Sequence, residues 1–248
     1  MEIVQSRRTS YKRRKILVLV FAVAFIWSCK KDAQTFSDPY YNYTPVGTGK
    51  YIIYDVDSIH FDDFTKTSDT FHFQLKELMS DPFVDLEGND SYQLKRYVRD
   101  TSYADMDDKA GWTIKNVWYV TRTQKNYQRV EESFRYTNFI FPPIEGVTWK
   151  GNSYNTNPEW DFRCKNVHKK ATINSYAFDS TVTVVQRNDS NAIDKTKYSE
   201  VYAANIGLVY RCYIDLHVDQ KNTNNVPFDQ KIGKGDIYVW RYVAHGNN

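Results

Sequence analysis

The chain has 248 residues, with 33 Lys and Arg against 30 Asp and Glu, a formal charge of +3, three cysteines and ten glycines. Six of those bases and one acid precede residue 29, so the rest carries 27 bases against 29 acids. It therefore lacks the basic field that phosphate backbones require, and nucleic acid is excluded as a partner. There is no P-loop, no G-x-G-x-x-G, no G-x-S-x-G, no H-E-x-x-H and no C-x-x-C. Nucleotide cradles, hydrolase elbows, helical zinc sites and thiol redox pairs are thus not signalled, and no cofactor is expected.

The first element is a basic stretch, Arg7, Arg8, Lys12, Arg13, Arg14 and Lys15, followed by the apolar run Ile16–Trp27, "ILVLVFAVAFIW". Twelve helical residues span roughly 18 Å, well short of a ~30 Å hydrocarbon core, which marks an export signal rather than a stable span. The run stops at Ile26-Trp27-Ser28-Cys29. An aliphatic residue, then a small residue directly before a cysteine, resembles the lipobox of bacterial lipoproteins, with Trp27 larger than that family usually carries. The resemblance implies a signal peptide over 1–28, cleavage before Cys29, and a Cys29 thiol alkylated with diacylglycerol. The following "CKKDAQ" resembles the start of lipoproteins from Bacteroidetes-type Gram-negative bacteria. It implies an address in the cell envelope, on the outer membrane, at its periplasmic face or the cell surface. No apolar pair follows Ser6-Arg7-Arg8 directly, so ordinary secretion is expected rather than a twin-arginine route.

Residues 29–47 hold Pro39, Pro45 and many small polar residues without an apolar period, and read as a lipidated tether. Residues 48–248 read as one β domain, because their periodicity is two. Phe71, Phe73 and Leu75 alternate with His72, Gln74 and Lys76. Trp112, Ile114 and Trp118 are expected on one face of the next strand. Val182 and Val184 alternate with Thr181 and Thr183. Asn126–Tyr136 reads as strand, with a helical stripe of Tyr127, Val130 and Phe134 as the alternative. Asp85–Asp90 and Arg187–Asn191 are expected hairpin connections. Phe141–Asn152 is expected as a loop with an apolar centre, covering a sheet edge or gating a cavity.

The pattern Val201–Tyr210, "VYAANIGLVY", resembles the VYA-x-x-x-GLVY stretch of exported bacterial β-proteins and lipoproteins, which implies a late β-hairpin without attached chemistry. Beyond it, Cys212 alternates with Arg211 and Tyr213, and upstream Trp160, Phe162 and Cys164 are in phase. Cys164 and Cys212 could form one disulfide across a loop of about 48 residues, or remain two buried thiols. Asp215, His217 and Asp219 project from one strand face, either as a metal set completed by a neighbour or as a solvated polar face. Asp55, Asp57, His60 and Asp62 form an acidic stretch, either paired carboxylates for glycoside hydrolysis or a strand end and turn. Tyr238, Trp240 and Tyr242 share a face that is core or, if exposed, a stacking surface for sugar rings or a partner.

These readings converge on an all-β fold, one or more antiparallel sheets forming a sandwich or curved half-barrel. The expected role is that of a lipid-anchored envelope protein, a non-catalytic binding or interaction module for a protein or glycan. The alternatives are a hydrophobic-ligand carrier, which needs a large apolar cavity, and an envelope glycan hydrolase, which needs two carboxylates facing each other in a cleft.

Overall fold

The computed structural model describes residues 40–103, 111–218 and 228–248. The signal segment, Cys29 and the first part of the expected tether lie outside the described residues. Twelve strands form one sheet: β1 (Lys50–Phe61), β2 (Ser68–Val84), β3 (Asp90–Asp100), β4 (Thr113–Arg122), β5 (Asn126–Glu131), β6 (Phe134–Ile140), β7 (Thr148–Lys150), β8 (Asp161–Ile173), β9 (Tyr176–Ser190), β10 (Asp194–Ala203), β11 (Gly207–Val218) and β12 (Ile232–Asn247). Their order is β6-β5-β4-β3-β2-β1-β12-β11-β10-β9-β8-β7, and every neighbour is antiparallel. The chain is thus a meander whose first and last strands pair at the centre, from Lys50↔Asn247 to Phe61↔Gly235. The sheet curls into a nearly closed barrel.

The two free edges, β6 and β7, meet through side-chain and loop contacts rather than a ladder. The Thr137 N–H donates to the Gly151 carbonyl at 2.7 Å, and Trp149 Nε1–H donates to the Thr137 carbonyl at 2.8 Å. Asn155 Nδ2 donates to the Arg135 carbonyl at 2.8 Å. The expected Phe141–Asn152 loop therefore contains the short strand β7 and covers the β6 edge. Covering an edge in this way removes unpaired backbone groups that would otherwise template aggregation.

A barrel of about eight strands is filled by its own side chains, and one of twelve is wider. This width accounts for the size of the interior residues. The largest fully buried side chains include Trp240, Arg129, Tyr43, Tyr54, Tyr202, Phe139 and Phe162. The aromatic ones join Leu75, Leu94, Val120, Val182 and Val184 in one core. The Phe71–Phe73–Leu75 alternation holds, running from exposed Phe71 inward to buried Leu75. In β4 a bulge between the Arg96/Asn116 and Tyr97/Ile114 pairs breaks the expected common face. Trp118 is buried, whereas Ile114 is 60% exposed.

Asn126–Tyr136 is strand, but it is a hairpin: Glu132 and Ser133 turn it with φ of 47° and 71°. The Asp85–Asp90 turn joins β2 to β3, with Asp85 Oδ1 accepting the N–H groups of Glu87 and Asn89. The Arg187–Asn191 turn falls later than expected, because β9 runs to Ser190 and β10 begins at Asp194. The VYA-x-x-x-GLVY stretch closes the β10–β11 hairpin, pairing Ala203 with Gly207.

One end of the barrel, where β1 begins and β12 ends, is plugged. Tyr41–Tyr43 form a single 3₁₀ turn and Tyr43 is 1% exposed. The Tyr43 hydroxyl lies 2.6 Å from Ser180 Oγ and 2.7 Å from His168 Nδ1. The Asn205 N–H donates to the Asn42 carbonyl at 2.8 Å. This corrects the tether boundary at residue 47: Tyr40–Thr44 belong to the domain. Three tyrosines without periodicity carry no strand or helix signal, yet they have the bulk that a wide barrel end requires.

Candidate functional site

The interior is crossed by a layer of charge. Arg129 donates through both terminal nitrogens to Glu77, at 2.7 and 3.2 Å. Arg211 donates likewise to Glu131, at 2.7 and 2.9 Å. Arg129 Nε lies 3.0 Å from Glu131 Oε1 and Arg96 Nε 3.2 Å from Glu77 Oε1; these are ion pairs, although neither N–H is aligned as a hydrogen bond. Arg211 Nε is 3.5 Å from Glu200, whose other oxygen accepts the Tyr202 hydroxyl at 2.6 Å. The sequence of contacts is Arg96–Glu77–Arg129–Glu131–Arg211–Glu200, three cations alternating with three anions. Two tryptophans interleave them: the Arg96 guanidinium sits 3.6 Å over Trp118, and that of Arg211 5.0 Å over Trp240. Alternation and pairing together are what make so much buried charge tolerable. Burial alone would raise the Glu131 carboxyl, but Arg211 and Arg129 beside it hold it down at about 2. Burial pulls Arg96 below the usual guanidinium range despite Glu77.

The layer separates two cavities. Toward the plugged end a narrow space of about 60 Å³ is bordered by Thr44, Tyr54, Glu77, Tyr127 and Arg129. Toward the opposite end a cavity of about 260 Å³ is bordered by Trp118, Trp160, Tyr136, Tyr198, Tyr213, Phe134 and Phe162, with Glu131, Glu132, Asn138, Gln186 and Arg211 among them. Tyr198 and Tyr213 are stacked at 4.2 Å and 8° across β10 and β11, and Trp160 leans on Tyr198 at 5.3 Å. Arg187 sits 5.1 Å over Trp160 and is itself paired with Asp189. Glu132 is committed as well, accepting from Trp118 Nε1 at 3.1 Å and from Asn116 at 2.8 Å. Asn138, 2% exposed, gives its amide to Glu200, while its Oδ1 has no partner.

Asp215 and His217 stand beyond Tyr213 on the same face of β11, toward the open end. His217 Nδ1 is 2.7 Å from Asp194 and its Nε2 is 3.9 Å from Asp215, which accepts the Thr196 hydroxyl at 3.0 Å. Hydrogen bonds from His217 and Asn191 hold the Asp194 carboxyl below its ordinary value. Asp219 lies outside the described residues. Among the described residues no group of three or more His, Cys, Asp or Glu converges as a metal set. The acidic stretch of β1 is likewise paired off. Asp57 takes hydrogen bonds from Arg241 and His72, and these outweigh burial and lower its carboxyl. Asp55 accepts from Gln74 and Asn174, His60 meets Asp236, and Asp62 caps the turn at Phe64 and Thr65.

Both cysteines are buried and free. Cys164 belongs to the interior core, whereas Cys212 lies on the opposite sheet face from the inward-pointing Arg211 and Tyr213. Strands β8 and β11 are three ladder steps apart, roughly 14 Å, twice the ~7 Å ceiling for bridged Cα atoms. The bridged alternative is thereby replaced by two buried thiols. Burial pushes the Cys164 thiol up to about 11. Iodoacetamide on the native protein near pH ~8 should leave both unmodified, and denaturation without reductant should expose both. A linked Cys164–Cys212 peptide on non-reducing mapping would contradict this geometry.

Fold and site together define a nearly closed, twelve-stranded antiparallel barrel, sealed at one end and through its middle, with an aromatic cavity at the other end. No protein-family profile matches the chain, and no curated protein matches it. Among solved structures it is similar to a candidate lipoprotein from Parabacteroides distasonis, at 14% identity and a TM-score of 0.34, covering 80% of this chain and 96% of that one. It also aligns with a candidate outer-membrane lipoprotein-sorting protein domain from Vibrio parahaemolyticus, at 11% identity and a TM-score of 0.20, covering 84% and 89%. At these scores neither likeness bears on fold or function.

Proposed function

We propose that the chain is an exported, lipid-anchored protein of the cell envelope, held on the outer membrane through Cys29, and that its barrel is a non-catalytic binding module. The observation that carries the reading is the 260 Å³ aromatic cavity at the end opposite Tyr40. A hydrolase is disfavoured because both carboxylates at the cavity are committed to the protein, Glu131 to Arg211 and Arg129 and Glu132 to Trp118 and Asn116. A carrier of long apolar ligands is disfavoured because the ionic layer blocks the barrel and leaves only about 60 Å³ behind it.

Ten residues lie between Cys29 and Tyr40, eleven Cα–Cα steps with a reach of at most ~40 Å. Tyr40 enters at the plugged end of the barrel, the end opposite the cavity. Mass spectrometry of the mature protein should find Cys29 as the first residue, bearing fatty chains. Cys29→Ala should gain no acyl mass and should not be cut before residue 29. Normal processing and unchanged membrane fractionation of that variant would refute the anchor.

A further inference from the structure

We propose that the open-end cavity takes the neutral, pyranose-type end of a glycan; this rests on the binding-module reading above. Three features of the cavity select that chemistry.

Its walls are flat rings. The Tyr198–Tyr213 stack and Trp160 form adjoining aromatic surfaces, and Trp118 and Tyr136 border the same space. Flat aromatic faces suit the C–H faces of a sugar ring. A hydrogen-bonding group stands between the rings. The partly buried Gln186 amide borders the cavity and has no hydrogen-bond partner among the described residues. A ligand hydroxyl can pair with it, whereas a purely apolar ligand would leave it unsatisfied.

The cations present are paired. Arg211 is bonded twice to Glu131 and lies beside Glu200, and Arg187 is paired with Asp189. An anionic headgroup would meet Glu131 and Glu132 without a free cation to receive it. A cationic one would meet Arg211, and the positions a cation would take against Trp160 and Trp118 are already held by Arg187 and Arg96. The remaining class is neutral and polar. At ~30 Å³ per water, 260 Å³ holds about nine waters, roughly one sugar ring, so the rest of a glycan would leave through the mouth.

The test is a tryptophan-fluorescence titration of the full lipidated protein in a detergent without a sugar headgroup. Maltose, cellobiose and N,N′-diacetylchitobiose are the neutral probes; glucuronic acid, glucosamine and the apolar dye 1-N-phenylnaphthylamine are the comparators. At least one neutral disaccharide should bind saturably at millimolar concentration or below, more tightly than any comparator. Trp160→Ala should weaken it at least tenfold, and Gln186→Leu about threefold, with melting curves confirming that both variants fold. Saturable binding of a comparator alone overturns the saccharide assignment and leaves a binding module standing. Equal sugar affinity in parent and both folded variants overturns the site. No binding by any probe overturns the proposal and removes the support for a binding module with it.

Discussion

Replacing Arg129 with leucine should cost about 3–5 kcal/mol of unfolding free energy in urea, a large part of the ~5–15 kcal/mol that keeps a domain folded. Arg129 is 2% exposed and bridges Glu77 and Glu131. Removing it strands two buried carboxylates with fewer partners. Desolvation of those anions, more than the lost attraction, sets the size of the effect. Arg211→Leu should cost less, because Arg211 is at the cavity margin, with 16% of its side chain exposed, and water can reach what it leaves. Replacing Glu77 together with Arg129 by leucine should recover part of the loss, since the uncompensated charge goes with its partner.

The pH dependence of the same measurement has a definite sign. Glu131 is held at about 2, below its unfolded value near 4.5. Its contribution, roughly 3 kcal/mol, is therefore full above pH ~4.5 and is lost as pH falls through about 2. In Arg129→Leu, Glu131 keeps Arg211 but loses its second cation, so its carboxyl rises toward the unfolded value. The variant then has less to lose on acidification, and its deficit against the parent should shrink between neutral pH and pH ~3. A deficit that stays constant over that range would place the effect in packing rather than in charge.

The outline of this fold was legible where the physics is local. Alternation marked Phe73–Leu75 and Val182–Val184, Asp85 announced its own turn through its side chain, and Gly207 marked the β10–β11 turn. Trp160, Phe162 and Cys164 do share the interior face their spacing implied. The failures are non-local or chemically unusual. The Glu132–Ser133 turn has positive φ at both residues without the glycine or asparagine that ordinarily signals it. The β4 bulge that expels Ile114 depends on pairing with Arg96 and Tyr97, not on the β4 sequence.

The interior charges were the deepest miss. Alternation assigns charged residues to solvent, yet Glu77, Arg96, Arg129, Glu131, Glu200 and Arg211 face inward. Their partners are remote, 52 residues apart for Glu77 and Arg129 and 80 for Glu131 and Arg211. The one available signal was that Arg211 is in phase with Tyr213, and Glu200 with Tyr198 and Tyr202, so that both phases of β10 and β11 carried bulky residues. Such strands are buried on a face that is not simply oily.

Gly235→Ala should be the most damaging single-methyl change, costing about 3 kcal/mol or more. Two effects add. Gly235 has φ of +132°, a backbone region that side chains rarely enter, and such strain costs of order 1–3 kcal/mol. Its added Cβ would also fall on the Asp215 carbonyl oxygen and lie 2.9 Å from Leu216 Cα, both backbone atoms of β11. Neither can swing aside as a side-chain tip could, so the β11–β12 ladder must open where Gly235 meets Leu216 and, on its other side, Phe61. Gly88 separates the two contributions. It also has positive φ, +82°, but nothing lies within 4 Å of its Cβ position, in the exposed β2–β3 turn. Gly88→Ala should therefore show the conformational part alone, about 1 kcal/mol. Urea unfolding of both variants measures the difference. An excess of ~2 kcal/mol for Gly235 assigns the remainder to close approach of β11 and β12, and equal losses would mean that these strands have slack at that crossing. Asp215 is the residue next along β11 toward the cavity, so a β11 displaced at Gly235 would also shift Tyr213 and loosen whatever the cavity holds.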